Sequence, residues 1–224
     1  MKFIKQVSWW KFLCILLLLI TIILGLFIPV PARPILNETI RNYFFHVPMW
    51  VVMMTFFIIS LVNSILLLRS QKIIYDLRAT VYAKAGLFFG VAGLTTGMLW
   101  ANFTWGKFWS NDPKQIGTVI SLLVYCAYFI LRDSVPDFDK RSKIAAVYNV
   151  FAFSILIPAV VIMPRMVDSL HPGGKGNPLI NPKDVDLRMF IILWTVAVPG
   201  WLLLGFWISN VQIRIEKIKD KFSL

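Results

Sequence analysis

Residues Val47–Leu68 read VPMWVVMMTFFIISLVNSILLL: 22 residues without one charged side chain and with a single amide, Asn63. A helix rises about 1.5 Å per residue, so this run matches the roughly 30 Å hydrocarbon core of a bilayer. Five further runs have the same character: Phe12–Val30, Val81–Ala101, Gln115–Leu131, Ile144–Met163 and Met189–Ile208. In lipid, backbone polar groups must be satisfied within their own segment, so the runs are predicted to be helices. The expected fold is therefore all-α: a polytopic membrane protein with six transmembrane helices and a short aromatic-rich amphipathic segment. Residues 1–224 form a single integral-membrane domain in this reading. A composition of 58% hydrophobic and 15% charged residues argues against a soluble domain. The first run follows Lys2, Lys5 and Lys11, like a signal peptide, but it is longer than a typical signal core and reads as an uncleaved helix.

A net charge of +12 raises the question of nucleic acid, and the distribution answers it. Fourteen Lys and Arg fall on the amino terminus, the second and fourth loops and the carboxyl tail, with Lys84 just inside the third run; eight fall on the other side. By the positive-inside rule both termini are cytoplasmic. The basic tail Gln212–Lys221 is expected against the inner leaflet.

Between the third and fourth runs lies Trp100-Ala-Asn-Phe-Thr-Trp105-Gly-Lys-Phe-Trp109-Ser-Asn-Asp112-Pro113, which the topology places outside. Read as a helix, Trp105, Phe108, Trp109 and Asp112 share one face. Such a face suits a flat aromatic ligand. An interfacial aromatic belt would look the same and needs no ligand. Asp112-Pro113-Lys114-Gln115 is also a helix start, with Asp as N-cap, Pro at the first position and Gln placed to close a capping box. Capping and ligand contact are compatible roles for Asp112.

Both histidines also fall on the outer side: His46 where the second span begins, and His171 in the Pro- and Gly-rich third outer loop, Pro164–Leu187. Two imidazoles, a stacking surface and the outer cations Arg33, Arg41, Lys107, Lys114 and Lys175 form the set that an exposed haem requires. Imidazoles supply axial ligands, rings cover the porphyrin and cations pair with propionates. The remaining marks are structural. Gly86, Gly90, Gly93 and Gly97 let helices approach closely, Asn63 offers a hydrogen bond between helices, and Pro158 predicts a kink in the fifth span, which also carries Asn149. Cys14 and Cys126 form no C-x-x-C motif and read as small apolar side chains. The runs contain no Asp, Glu or Arg, which disfavours an ion pathway, and without a P-loop any ATP chemistry belongs to a partner.

The block Thr96–Ala101 with Trp105-Gly-Lys-Phe-Trp-Ser-Asn-Asp112 resembles the tryptophan-rich WWD signature of the haem-handling proteins of cytochrome c assembly. Phe45-His46-Val47-Pro48 and Leu170-His171 resemble the two histidine motifs that flank it in the cytochrome c maturation protein C, or haem exporter protein C, family. The resemblance runs from the second span to the sixth. Phe108 and Asn111 stand where the family carries tryptophan, Lys107 where it carries Thr, and Pro113-Lys114 where it carries Ala-Arg. The resemblance implies a bacterial inner-membrane protein that binds haem b non-covalently at the periplasmic face. The implied axial ligands are His46 and His171. The implied platform and propionate side, within a signature segment at 100–115, is Trp100, Trp105, Phe108, Trp109, Asp112 and Lys114. The implied partners are a membrane-anchored periplasmic haem chaperone, the ATPase and permease subunits of an ABC-type complex, and a small single-span subunit. Nucleic acid is not among them, and no catalysis is implied at this chain. Two other readings remain open: a haem b membrane anchor of a respiratory oxidoreductase, or a structural ABC permease subunit without haem.

Overall fold

The computed structural model describes residues 8–171 and 185–222. Lys2, Lys5, Lys175 and Lys183, with the loop core Pro172–Gly176, lie outside the described residues. All regular structure among the described residues is helical. Helix α1 is Trp9–Phe27, a 3₁₀ segment covers Asn37–Asn42, α2 is Tyr43–Ser70, α3 is Ile73–Trp105 and α4 is Pro113–Ser134. Helix α5, Phe138–Ile157, passes through a π-helical turn at Pro158–Ile162 into α6, Met163–Met166. Helix α7, Leu187–Ile192, passes through a second π turn at Leu193–Ala197 into α8, Val198–Phe222. Pro158 opens the first π turn and Pro199 stands two positions after the second. A proline donates no N–H, and the change of hydrogen-bond register absorbs the gap.

Counted with their continuations, six helices are long and apolar enough to cross a membrane. Each predicted run lies inside one of them, save that α1 ends at Phe27, before the predicted Val30. Other ends extend further. Helix α3 begins at Ile73, eight residues before its apolar run, and α8 carries the basic tail on to Phe222 as unbroken helix. Lys, Arg and Glu are good helix formers, so the apolar run marks the lipid rather than the helix. The loop around Arg69–Arg78 shrinks to the two residues between α2 and α3.

Helix α2 is central. It packs along α3 and also against α5 and α8, while α4 lies on α5 and α1 lies at the edge on α8. The apolar core joins Met53, Phe56 and Phe57 of α2 to Phe89 of α3, Tyr125 of α4 and Leu156 of α5. The Phe57 and Tyr125 rings stack at 3.6 Å between centroids and 12° between planes. In lipid the hydrophobic effect does not drive such contacts, so close van der Waals fit must. The glycine stripe of α3 supplies that fit. A Cβ on Gly86 would stand 2.7 Å from the Phe57 ring, and one on Gly90 would stand 2.9 Å from the Met53 sulfur.

Polar links also tie the bundle. Asn149 of α5 donates to Ser60 Oγ at 2.7 Å and Ser64 Oγ at 2.8 Å on α2. Asn63, expected to bridge helices, instead donates to the Ile59 carbonyl of its own helix. Asp76 of α3 holds Arg132 of α4 through two contacts, Nη1 to Oδ1 at 2.8 Å and Nη2 to Oδ2 at 2.5 Å. Both side chains are nearly buried. Removing one partner of such a pair strands the other charge. Asp76→Ala should therefore destabilise the protein by about 3 kcal/mol, read as a lowered thermal midpoint of tryptophan fluorescence in detergent. Replacing both partners, Asp76→Leu with Arg132→Met, should recover most of that loss.

Candidate functional site

His46 sits in the first turn of α2, where Asn42 Nδ2 donates to the Thr96 carbonyl and fastens the helix start to α3. Its imidazole fills the space left by Gly97, where a Cβ would stand 2.7 Å from His46 Cε1. Nδ1 lies 3.1 Å from both the Gly93 carbonyl and Thr96 Oγ1. The Thr96 hydroxyl is itself directed at the Ala92 and Gly93 carbonyls, so Nδ1 carries the proton and donates. Nε2 then holds the lone pair, and it accepts the indole N–H of Trp50 at 3.0 Å. Trp50 and Trp100 meet the imidazole edge-on at 5.7 and 5.8 Å between centroids. Trp100 is fixed in turn by donating to Thr39 Oγ1.

The aromatic segment does not continue as a helix. Helix α3 stops at Trp105 because Gly106 takes φ 73°, the left-handed C-terminal conformation open to glycine, and donates its N–H to the Asn102 carbonyl. Residues 106–112 then run as an irregular loop, with Asn111 also left-handed at φ 56°. The shared helical face expected for Trp105, Phe108, Trp109 and Asp112 is therefore absent. Gln115 does not close a capping box. Its Oε1 accepts from Ser110 N and Oγ, and its Nε2 donates to the Phe108 carbonyl, which clamps the loop instead.

Asp112 is the N-cap of α4, accepting from Lys114 N at 2.9 Å. The same carboxylate collects the loop after α6: Ser169 Oγ at 2.8 Å, Leu170 N at 2.7 Å and His171 Nδ1 at 2.9 Å. A carboxylate on Nδ1 fixes the proton there and leaves the Nε2 lone pair for a ligand, so both histidines carry the same tautomer. His171 also meets the Trp105 ring edge-on at 5.0 Å.

His46 and His171 line one cavity of about 440 Å³, within the usual size of small-ligand sites. Trp50, Trp100, Trp105, Lys114 and Arg165 line it too, and most of the remaining wall is aliphatic, from residues such as Leu36, Ile40, Met54 and Val160. Of the eight residues singled out in the sequence, five thus meet at the cavity: His46, His171, Trp100, Trp105 and Lys114. Asp112 stands behind His171 with its side chain fully buried. Phe108 and Trp109 are exposed and do not line the cavity, and Trp109 donates to Asn111 Oδ1. Arg41 is used structurally, binding Glu38 and the Ile28 carbonyl at the end of α1. Trp50 and Arg165 were not legible as site residues, although Trp50 follows His46 by four positions, one helical turn on the same face.

Burial alone would raise the Asp112 pKa. The hydrogen bonds from the His171 ring, the Ser169 hydroxyl and the Lys114 N–H outweigh it and hold the carboxyl below the ordinary aspartate range. A depressed native pKa contributes stability that is present above the unfolded value and lost as pH falls through the native one. The gap in thermal midpoint between wild type and Asp112→Asn should thus be fully present at about pH 5 and narrow only below about pH 4.

A family model described as heme exporter protein C matches residues 1–222. The heme exporter protein C of Paracoccus denitrificans is 28% identical over 180 residues, 80% of this chain and 74% of that protein. That of Rhodobacter capsulatus is 25% identical over 197 residues, 86% of this chain and 80% of that protein. A cytochrome c biogenesis protein CcsA of Prochlorococcus marinus is 43% identical over 63 residues, 28% of this chain and 20% of that protein. The family match takes in all six spans, the aromatic loop and both histidines, and by it the chain belongs to the heme exporter protein C family.

Proposed function

We propose that this chain holds haem b, non-covalently, in the cavity shared by His46 and His171, as cargo to be handed on during cytochrome c assembly. The observation that carries the reading is that two imidazoles, each with Nδ1 committed to an acceptor, line the same cavity. Iron coordination needs an unprotonated ring nitrogen whose orientation is fixed from behind. The Gly93 carbonyl does this for His46 and the Asp112 carboxylate for His171. The donor set fits the cargo: Trp100 and Trp105 supply ring surface, and the cations Lys114 and Arg165 suit the two propionates. Phe108 and Trp109, exposed beside the site, are suited to meet a transfer partner.

Trp50 makes the hold reversible. Its indole N–H satisfies the His46 lone pair when no iron does, so release exchanges a coordinate bond for a hydrogen bond. Holding and handing on break no covalent bond in the cargo, so the role is not enzymatic. The receiving partner is a membrane-anchored haem chaperone. ATP hydrolysis belongs to the ATPase of an ABC-type complex with its permease and a small single-span subunit. The positive-inside distribution of Lys and Arg supports cytoplasmic termini and a periplasmic cavity in a bacterial inner membrane.

Pyridine haemochrome assay of the purified protein should give about one haem b per chain, with His46→Ala and His171→Ala each losing most of it. Unchanged haem in both variants would reject the ligand assignment. Trp50→Phe should keep haem but pass it to apomyoglobin about fivefold more slowly, since one competing hydrogen bond of ~1 kcal/mol is gone.

A further inference from the structure

Further along α2 than the histidine cavity, toward the turn between α2 and α3, lies a second pocket of about 390 Å³. It is lined by Arg78 of α3, Arg214 and Lys217 of α8, and the amides of Asn63 and Asn210. Asn210, Arg214 and Lys217 follow at i, i+4 and i+7, one face of α8. Among the described residues, no carboxylate lines the pocket. Two acids on the same helices are held by other partners: Asp76 by Arg132 and Glu216 by Lys219. None of the three cations forms an ion pair with a described residue. Like charges gathered without a counter-charge repel, and an anion placed among them offsets that cost.

Depth identifies the anion. Asn63 lies seven residues before the end of α2 and Arg78 five residues after the start of α3, each about 10 Å or less along its helix. The cations stand just beyond the apolar runs that end at Ile208 and begin at Val81. Asn63 at the base is buried, whereas Arg78, Asn210, Arg214 and Lys217 at the mouth are exposed. The pocket thus straddles the boundary between hydrocarbon and headgroup. Arginine forks with a lysine point charge and amide donors suit a phosphate. We propose that this pocket binds the phosphate of an anionic phospholipid headgroup, whose acyl chains remain in the bilayer beside α2 and α8. This site does not depend on the haem reading.

Native mass spectrometry of the full-length protein, with added phosphatidylglycerol, cardiolipin or phosphatidylcholine, tests it. The anionic lipids should give a one-to-one adduct, retained about tenfold better than phosphatidylcholine. The double variant Arg214→Gln with Lys217→Gln should lose about tenfold of that retention, and Arg78→Gln alone should lose part of it. Arg214→Lys, which keeps the charge but not the fork, should lose less than the double variant, and Lys140→Gln with Lys143→Gln outside the pocket should keep it, with all variants matched for thermal midpoint. Equal retention of phosphatidylcholine, or unchanged retention in both pocket variants, would overturn the site. Displacement of the adduct by millimolar inorganic phosphate would overturn the lipid identity in favour of a free-phosphate site.

Discussion

Four donors converge on the buried carboxylate of Asp112: the first turn of its own helix, a hydroxyl, a backbone amide and an imidazole. Removing a partner from a buried carboxylate satisfied in this way costs far more than breaking a surface ion pair, because it leaves a charge unmet. It does two jobs with one group. It starts α4 at a defined angle after the irregular loop, and it brings the loop carrying His171 onto the end of the bundle. The two residues are 59 positions apart in the chain, and this contact is what makes them neighbours.

The other histidine depends on a different constraint. Helices in lipid gain little from burying apolar surface against one another, so approach is limited by side-chain size. The stripe of Gly86, Gly90, Gly93 and Gly97 lets α2 settle on α3, and at its last position the space admits an imidazole. The packing stripe and the site are thus one feature at two depths. Toward the middle it receives Phe57 and Met53, and at the end it receives His46, whose Nδ1 reaches the Gly93 carbonyl only because the helices are this close.

The spans were legible because a bilayer demands long uncharged runs, and six such runs stand out in the chain. Helix ends were not, since charged residues continue a helix into water without penalty, as in α3 before Val81 and α8 beyond Ile208. The helical face across Trp105–Asp112 was misread although Gly106 stood inside it. A periodicity was carried across a residue that ends helices. Asp112 as a cap was legible from the adjoining proline, but its hold on His171 is a long-range contact that no local pattern announces. Gln115 matched a capping box by spacing, and the tertiary demand of the Phe108–Ser110 backbone won. Which asparagine bridges helices, Asn149 rather than Asn63, depends on the rotation of each helix in the bundle, which an apolar sequence leaves open. Trp50 was hidden because a tryptophan in an apolar run looks like packing.

Both imidazoles, each oriented from behind through Nδ1, serve one cavity, and this is the claim on which the functional account rests. Electron paramagnetic resonance of the purified, oxidised, haem-loaded protein tests it most directly. A single low-spin ferric species with two imidazole ligands is predicted. A high-spin ferric signal at full haem load, or a low-spin signal that persists unaltered in His171→Ala, would contradict it.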